Sequence, residues 1–143
     1  MRDQFDHERL DVYQVSLDFV GLANDILDSL PRGRRTVADQ LQRASISVTL
    51  NIAEGAGEFS GNEKLRFYRM ARRSATECAA ILEICWRLDL ARQPVLQTGR
   101  ELLLRIVSML IGMAKTGMGT SSGTGHGHGH RHDRMRRNLT KPL

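Results

Sequence analysis

Strands, membrane spans and catalytic groups are what this sequence is least equipped to supply. Aromatic residues make up 5% of its 143 residues and prolines number three, which suits Leu- and Ala-rich helices better than a sandwich of short strands. No strand is expected anywhere. The longest apolar stretch, Leu102 to Ala114, is interrupted by Arg105 and falls short of the ~20 residues a spanning helix needs. No apolar core follows the charged start Met1-Arg-Asp-Gln-Phe-Asp-His-Glu8, so a secretory signal is not expected and the cytoplasm is the expected location.

Cysteine is nearly absent too. Cys78 and Cys85 stand seven residues apart on what reads as one helix, ~10.5 Å along its axis, which is too far for a disulfide between them. With no ligand partner nearby in sequence, they read as buried free thiols. His7 is the one histidine before the last 25 residues. No Glu-x-x-His pair, no glycine-rich phosphate cradle and no nucleophile with a visible base accompanies it. The expectation is a protein that is not an enzyme and needs no cofactor.

What is present is helical periodicity. A hydrophobic content of 41% can supply one core, and the length fits about one domain. A first helix is expected from about Leu10 to Leu30, with Leu10, Tyr13, Leu17, Val20 and Ile26-Leu27 near one face and Pro31 and Gly33 ending it. The second starts near Thr36, as cap, and closes at Glu54-Gly-Ala-Gly57 with glycine allowing a left-handed end. Ser60-Gly-Asn-Glu63 is a capping box. It opens a third helix to about Leu90, whose face carries Phe67, Met70, Ala71, Ser74, Cys78, Ile81, Leu82 and Cys85. Pro94, tolerated in a first turn, opens a fourth with Leu96, Leu103, Ile106, Leu110 and Met113 in register. Short connections between four helices make an all-α, antiparallel up-down four-helix bundle, assigned to residues 1–118.

The second helix is the most informative. At 100° per residue, Gln40, Arg43, Ser47, Asn51 and Glu54 form a narrow polar stripe beside the apolar line Val37, Leu41, Ala44, Val48, Ile52. A second apolar line follows from Ile46, Leu50 and Ala53. A monomer's surface helix needs one apolar stripe, so this helix is expected to pack on two sides, in an assembly. The polar stripe is read as structural: its members satisfy one another at a helix seam and fix register, with Arg43 pairing a carboxylate and Asn51 and Glu54 bonding a neighbouring helix.

After Met118 the composition turns to Gly, Ser and Thr, then alternating His and Gly, then arginine. This 119–143 tail is too poor in apolar residues to offset the entropy of ordering, and disorder is expected. It holds five of the chain's cations and one acid, Asp133, and so carries +4 of the formal net charge of +5. Any pull on polyanions is concentrated there or in local patches.

Gln40-Leu-Gln-Arg43-Ala-Ser-Ile-Ser47, Asn51-Ile-Ala-Glu-Gly55 and the series Phe67, Ala71, Ser74, Glu77 together resemble the four-helix bundle protein family. It includes the proteins encoded in intervening sequences of bacterial 23S ribosomal RNA genes, and the accessory variability determinant of diversity-generating retroelements is a relative. The likeness spans roughly Phe5 to Ala114. It implies a cytoplasmic antiparallel bundle assembling as a ring-shaped pentamer, with nucleic-acid association known for the retroelement relative. Two positions depart from the family pattern: Glu58 stands where a basic residue follows the Gly-x-Gly turn, and Arg73 where the third helix carries glycine.

Candidate contact residues follow from charge. Arg66, Arg69 and Arg73 fall within a strip ~60° wide, flanked by Lys64 and Arg72. Repeated around a ring, they would form a surface for phosphates; the alternative is a solvated face with Arg73 paired to Glu77. No aromatic residues interleave the strip, so base stacking is not expected and backbone contact is. Arg131, Arg134, Arg136 and Arg137 of the tail could act as an electrostatic arm. His126, His128, His130 and His132 have ligand chemistry for zinc, nickel or copper but no preorganised geometry, so no metal site is expected. Three partner classes therefore stand: RNA or DNA backbone bound by a homo-oligomer, a docked protein such as a reverse transcriptase, and metal ions on the tail. A membrane is not among them.

Overall fold

The computed structural model describes residues 3–118. A short 3-10 helix, Asp6–Arg9, precedes α1 (Asp11–Ser29), α2 (Arg35–Ala56), α3 (Gly61–Arg87) and α4 (Gln93–Met118). Packing runs α1 on α2, α2 on α3, α3 on α4 and α4 back on α1, which closes a four-cornered bundle. The direction of α3 is fixed by its contacts: Ser74 meets Ser47 near the middle of α2, and Lys64 reaches Gly55 and Ala56 at its end. On the other side Glu83 meets Arg100 near the start of α4. Neighbours are antiparallel.

One core runs through the bundle. Val12, Phe19, Ala23 and Ile26 of α1 meet Leu41, Val48 and Ile52 of α2, Ala71, Ala75, Cys78 and Cys85 of α3, and Leu96, Leu103, Ile106 and Leu110 of α4, all buried. Small residues on α3 let its axis approach its neighbours. Buried hydroxyls are satisfied locally: Thr49 Oγ1 donates to Ser16 Oγ at 3.1 Å, and Ser16 Oγ donates to the Tyr13 carbonyl at 2.6 Å.

Several sequence expectations need correction. The buried face of α1 is centred on Phe19 with Val12, Val15 and Ala23, whereas Leu17 is exposed and Val20 half-buried. Apolar residues ring most of α1, so periodicity alone could not choose which third of the circumference faces inward. On α3, Tyr68 and Ala75 are buried and Met70 is exposed. The α2 cap is Arg34, without a side-chain hydrogen bond, and not Thr36. Gly57 closes α2 at φ −81°, in the right-handed region.

The left-handed closure occurs one helix later. α3 ends at Arg87 rather than near Leu90, with Asp89 at φ 55°. Asp89 N–H donates to the Trp86 carbonyl at 3.1 Å and Leu90 N–H to the Cys85 carbonyl at 2.8 Å, the paired bonds of a Schellman end. Leu90, buried, seals it. Among the described residues no helix is long and apolar enough to cross a membrane.

Candidate nucleic-acid interface and assembly surface

The start of α3 organises both candidate surfaces. Ser60 Oγ accepts from Glu63 N–H at 3.5 Å, the forward half of the capping box. The Glu63 carboxylate turns instead to Arg66, 3.5 Å away. One residue further, Lys64 lays its ammonium on the C-terminal carbonyls of α2, 2.9 Å from Ala56 O and 3.3 Å from Gly55 O. There it offsets the negative end of the helix dipole, so its charge is engaged at the α2–α3 junction.

The arginine strip lies outward along α3. Arg66, Arg69, Arg72 and Arg73 are all exposed. Among the described residues, Arg69, Arg72 and Arg73 enter no ion pair, and the alternative Arg73–Glu77 pair does not form. The Arg66 guanidinium sits 5.1 Å from the centre of the Phe67 ring, a cation–π distance. Arg69 and Arg72 border a depression of about 210 Å³ with Leu65, Tyr68, Leu110 and Ala114.

The polar stripe of α2 divides in two. Asn51 Nδ2 donates to Ser47 O at 2.9 Å and Ser47 Oγ at 3.1 Å, and Ser47 Oγ lies 2.9 Å from Ser74 Oγ on α3. Ser47 crosses the seam, whereas Asn51, expected to bond a neighbouring helix, bonds back one turn within α2 and braces Ser47. Gln40, Arg43 and Glu54 are exposed, and neither Arg43 nor Glu54 has an ion-pair partner among the described residues. The pairing expected of Arg43 is absent because its position on the helix lies beyond the seam, toward water.

Next to the stripe lies an uncovered apolar belt. Ile46 is 42% exposed, Leu50 55%, Leu17 41% and Met70 41%. The Ser16–Thr49 bond levels α1 with α2, and the Ser47–Ser74 contact levels α2 with α3. Leu17, Ile46 and Leu50 each adjoin one of those bonded residues in sequence, and Met70 is one turn from Ser74. The belt therefore crosses three helices at one height, with Arg43 and Glu54 bounding it along α2.

One exposed aromatic was missed in the sequence. Phe59, the residue before the Ser60 cap, is 103% exposed. An apolar residue there ordinarily packs on the fourth helical position. That position is Lys64, and the Phe59-Ser60…Lys64 spacing already shows a cation where an apolar partner would be needed; that its ammonium is committed to α2 is visible only in the structure.

Both cysteines are buried free thiols. Burial, with the nearby Glu77 charge, pushes the Cys78 thiol up to about 12, and burial also raises Cys85. Neither environment favours a reactive thiolate. Among the described residues no group of three or more His, Cys, Asp or Glu side chains is gathered for a metal. The tail arginines Arg131, Arg134, Arg136 and Arg137 and the four histidines lie outside the described residues, as does the disorder expected for 119–143.

These features define an all-α four-helix protein whose distinctive surfaces are an apolar belt and a basic helix face. The chain belongs to the family of 23S rRNA-intervening sequence proteins, whose model matches residues 8–112. A similar solved structure is that of a protein of unknown function from the S23 ribosomal protein family of Bacteroides thetaiotaomicron. It is 21% identical with a TM-score of 0.68, and the alignment covers 73% of this chain and 98% of that one. At that identity the likeness concerns the fold. No curated protein matches this chain.

Proposed function

We propose that this protein is a non-enzymatic homo-oligomer, a pentamer by analogy with its relatives, that presents repeated basic faces to RNA or DNA backbone. The observation that carries the assembly is the belt of Leu17, Ile46, Leu50 and Met70. Four large apolar side chains at one height, bounded by charge, have the composition of a protein contact surface. Covering them with copies of the chain removes them from water and repeats Arg66, Arg69, Arg72 and Arg73 around the assembly.

Phosphate affinity then comes from number. A single helix face offers a few cations; several copies multiply the counterions released on binding, and affinity falls steeply with salt. The test pairs two measurements on the full chain. Sedimentation should give a multimer for the wild type and a folded smaller species for Ile46→Glu/Leu50→Glu. Retention of nucleic acid should fall with salt and be lost in Arg66→Ala/Arg69→Ala/Arg73→Ala. A well-folded wild-type monomer at micromolar concentration overturns the assembly, and salt-independent or absent retention overturns the nucleic-acid role.

A further inference from the structure

Phe59 is the most exposed of the apolar side chains that assembly and phosphate contact leave unexplained, ahead of Phe5, Ile84 and Leu88. Its ring is as open to water as a side chain can be, at 103% exposure. The usual reason for an apolar residue before a helix cap is missing, because the fourth helical position is Lys64 and its ammonium is held by the Ala56 and Gly55 carbonyls. The turn Gly57-Glu-Phe59-Ser-Gly61 thus holds an unstapled aromatic at the head of the basic helix.

We propose that Phe59 is a stacking platform for an unpaired nucleobase, so that this interface selects single-stranded over double-stranded nucleic acid. The proposal rests on the nucleic-acid reading above and specifies its substrate. Flat apolar rings accept any base on their π-face, and cations spaced beside them hold the flanking phosphates. Arg69, which enters no ion pair among the described residues, supplies the nearest uncommitted cation, about 13.5 Å along the axis from Ser60 at 1.5 Å per residue; Arg66, nearer at about 9 Å, is shared with Glu63. Glu63 is already paired with Arg66, which removes the nearest helix carboxylate as an opponent. Glu58, adjoining Phe59, is half-buried. The arginine strip's own ring, Phe67, is half-buried beside Arg66, and the open ring comes from the preceding loop.

The test measures binding of labelled single-stranded RNA, single-stranded DNA of the same sequence and the matching duplex to the full chain, with sedimentation of each free variant. Phe59→Ala should weaken single-strand binding about tenfold, leave duplex binding within about twofold, and keep the mass and melting of the wild type. Phe59→Trp should restore single-strand affinity. Equal affinity of RNA and DNA strands assigns recognition to the base and phosphate alone; RNA preference adds a 2′-hydroxyl contact to the same stack. An unchanged single-strand affinity in Phe59→Ala, an equal loss on the duplex, or a smaller sedimenting species overturns the proposal, the last by making Phe59 a contact between copies. In these cases wild-type binding persists and the reading above survives. If the wild type binds neither strand nor duplex, both fall.

Discussion

Gly55 lies so close to the ring of Tyr68 that a β carbon there would stand 2.7 Å from Tyr68 Cε1 and 2.9 Å from Cδ1. Tyr68 is buried and Phe67 Cβ is 3.1 Å from the same point, so neither neighbour can withdraw without moving α3. Gly55→Ala should therefore lose stability. Overpacking costs about 1–3 kcal/mol, against a gain of about 1 kcal/mol in helix propensity, and thermal melting should fall by several degrees. Gly99 is the control: its β carbon would meet Leu22 Cδ2 and Leu82 Cδ1, both at 2.9 Å. These are the mobile ends of flexible side chains, and Gly99→Ala should cost less than Gly55→Ala.

Asp89 occupies the left-handed region at φ 55°, where a β carbon is crowded by the following carbonyl. Asp89→Gly keeps both Schellman bonds and relieves that crowding. The melting temperature should rise, by an amount equivalent to about 0.5 kcal/mol after the extra freedom of glycine in the unfolded chain is counted. A fall would mean that the aspartate side chain contributes something beyond the backbone turn.

Asn51 and Glu54 share a stripe and should differ in effect. Asn51→Ala removes two hydrogen bonds within α2, one of them to the Ser47 hydroxyl that meets Ser74, costing about 1 kcal/mol. Glu54→Ala removes an exposed carboxylate without an ion pair among the described residues and should change melting by less than about 0.5 kcal/mol. Parallel denaturation curves check both.

Cys78 gives the folded state a pH dependence. Its thiol is held neutral up to about 12 by burial and by Glu77, whereas in the unfolded chain it ionises near ~8.5. Between these values the folded state holds a proton that the unfolded state has released, so this contribution to stability is complete below the unfolded value and declines as pH rises toward 12. Melting temperature should drop across that window, and Cys78→Ala should flatten the drop. Thiol reagents should modify the native protein slowly at neutral pH.

The residue pattern alone established the number of α-helices, their approximate ends and most of α2 and α4. Their apolar lines, such as Leu41, Ala44, Val48, Ile52 and Leu96, Leu103, Ile106, Leu110, run on one face only or beside a polar stripe that marks the boundary. It also determined that the thiols are unlinked, because seven helical residues hold them apart. The inward face of α1 was set by the tertiary structure, since apolar side chains cover more than half of that helix, opposite Asp11, Asp18 and Asp25, and which of them turn inward depends on what α2 and α4 present. Only the tertiary structure decided which members of the polar stripe bond across the seam. Angle alone cannot distinguish Ser47, opposite Ser74, from Arg43, one turn away and in water. Phe59 illustrates the general reason. A residue's burial is a property of its neighbours in space, and the neighbour that would have covered it, Lys64, was drawn to another helix.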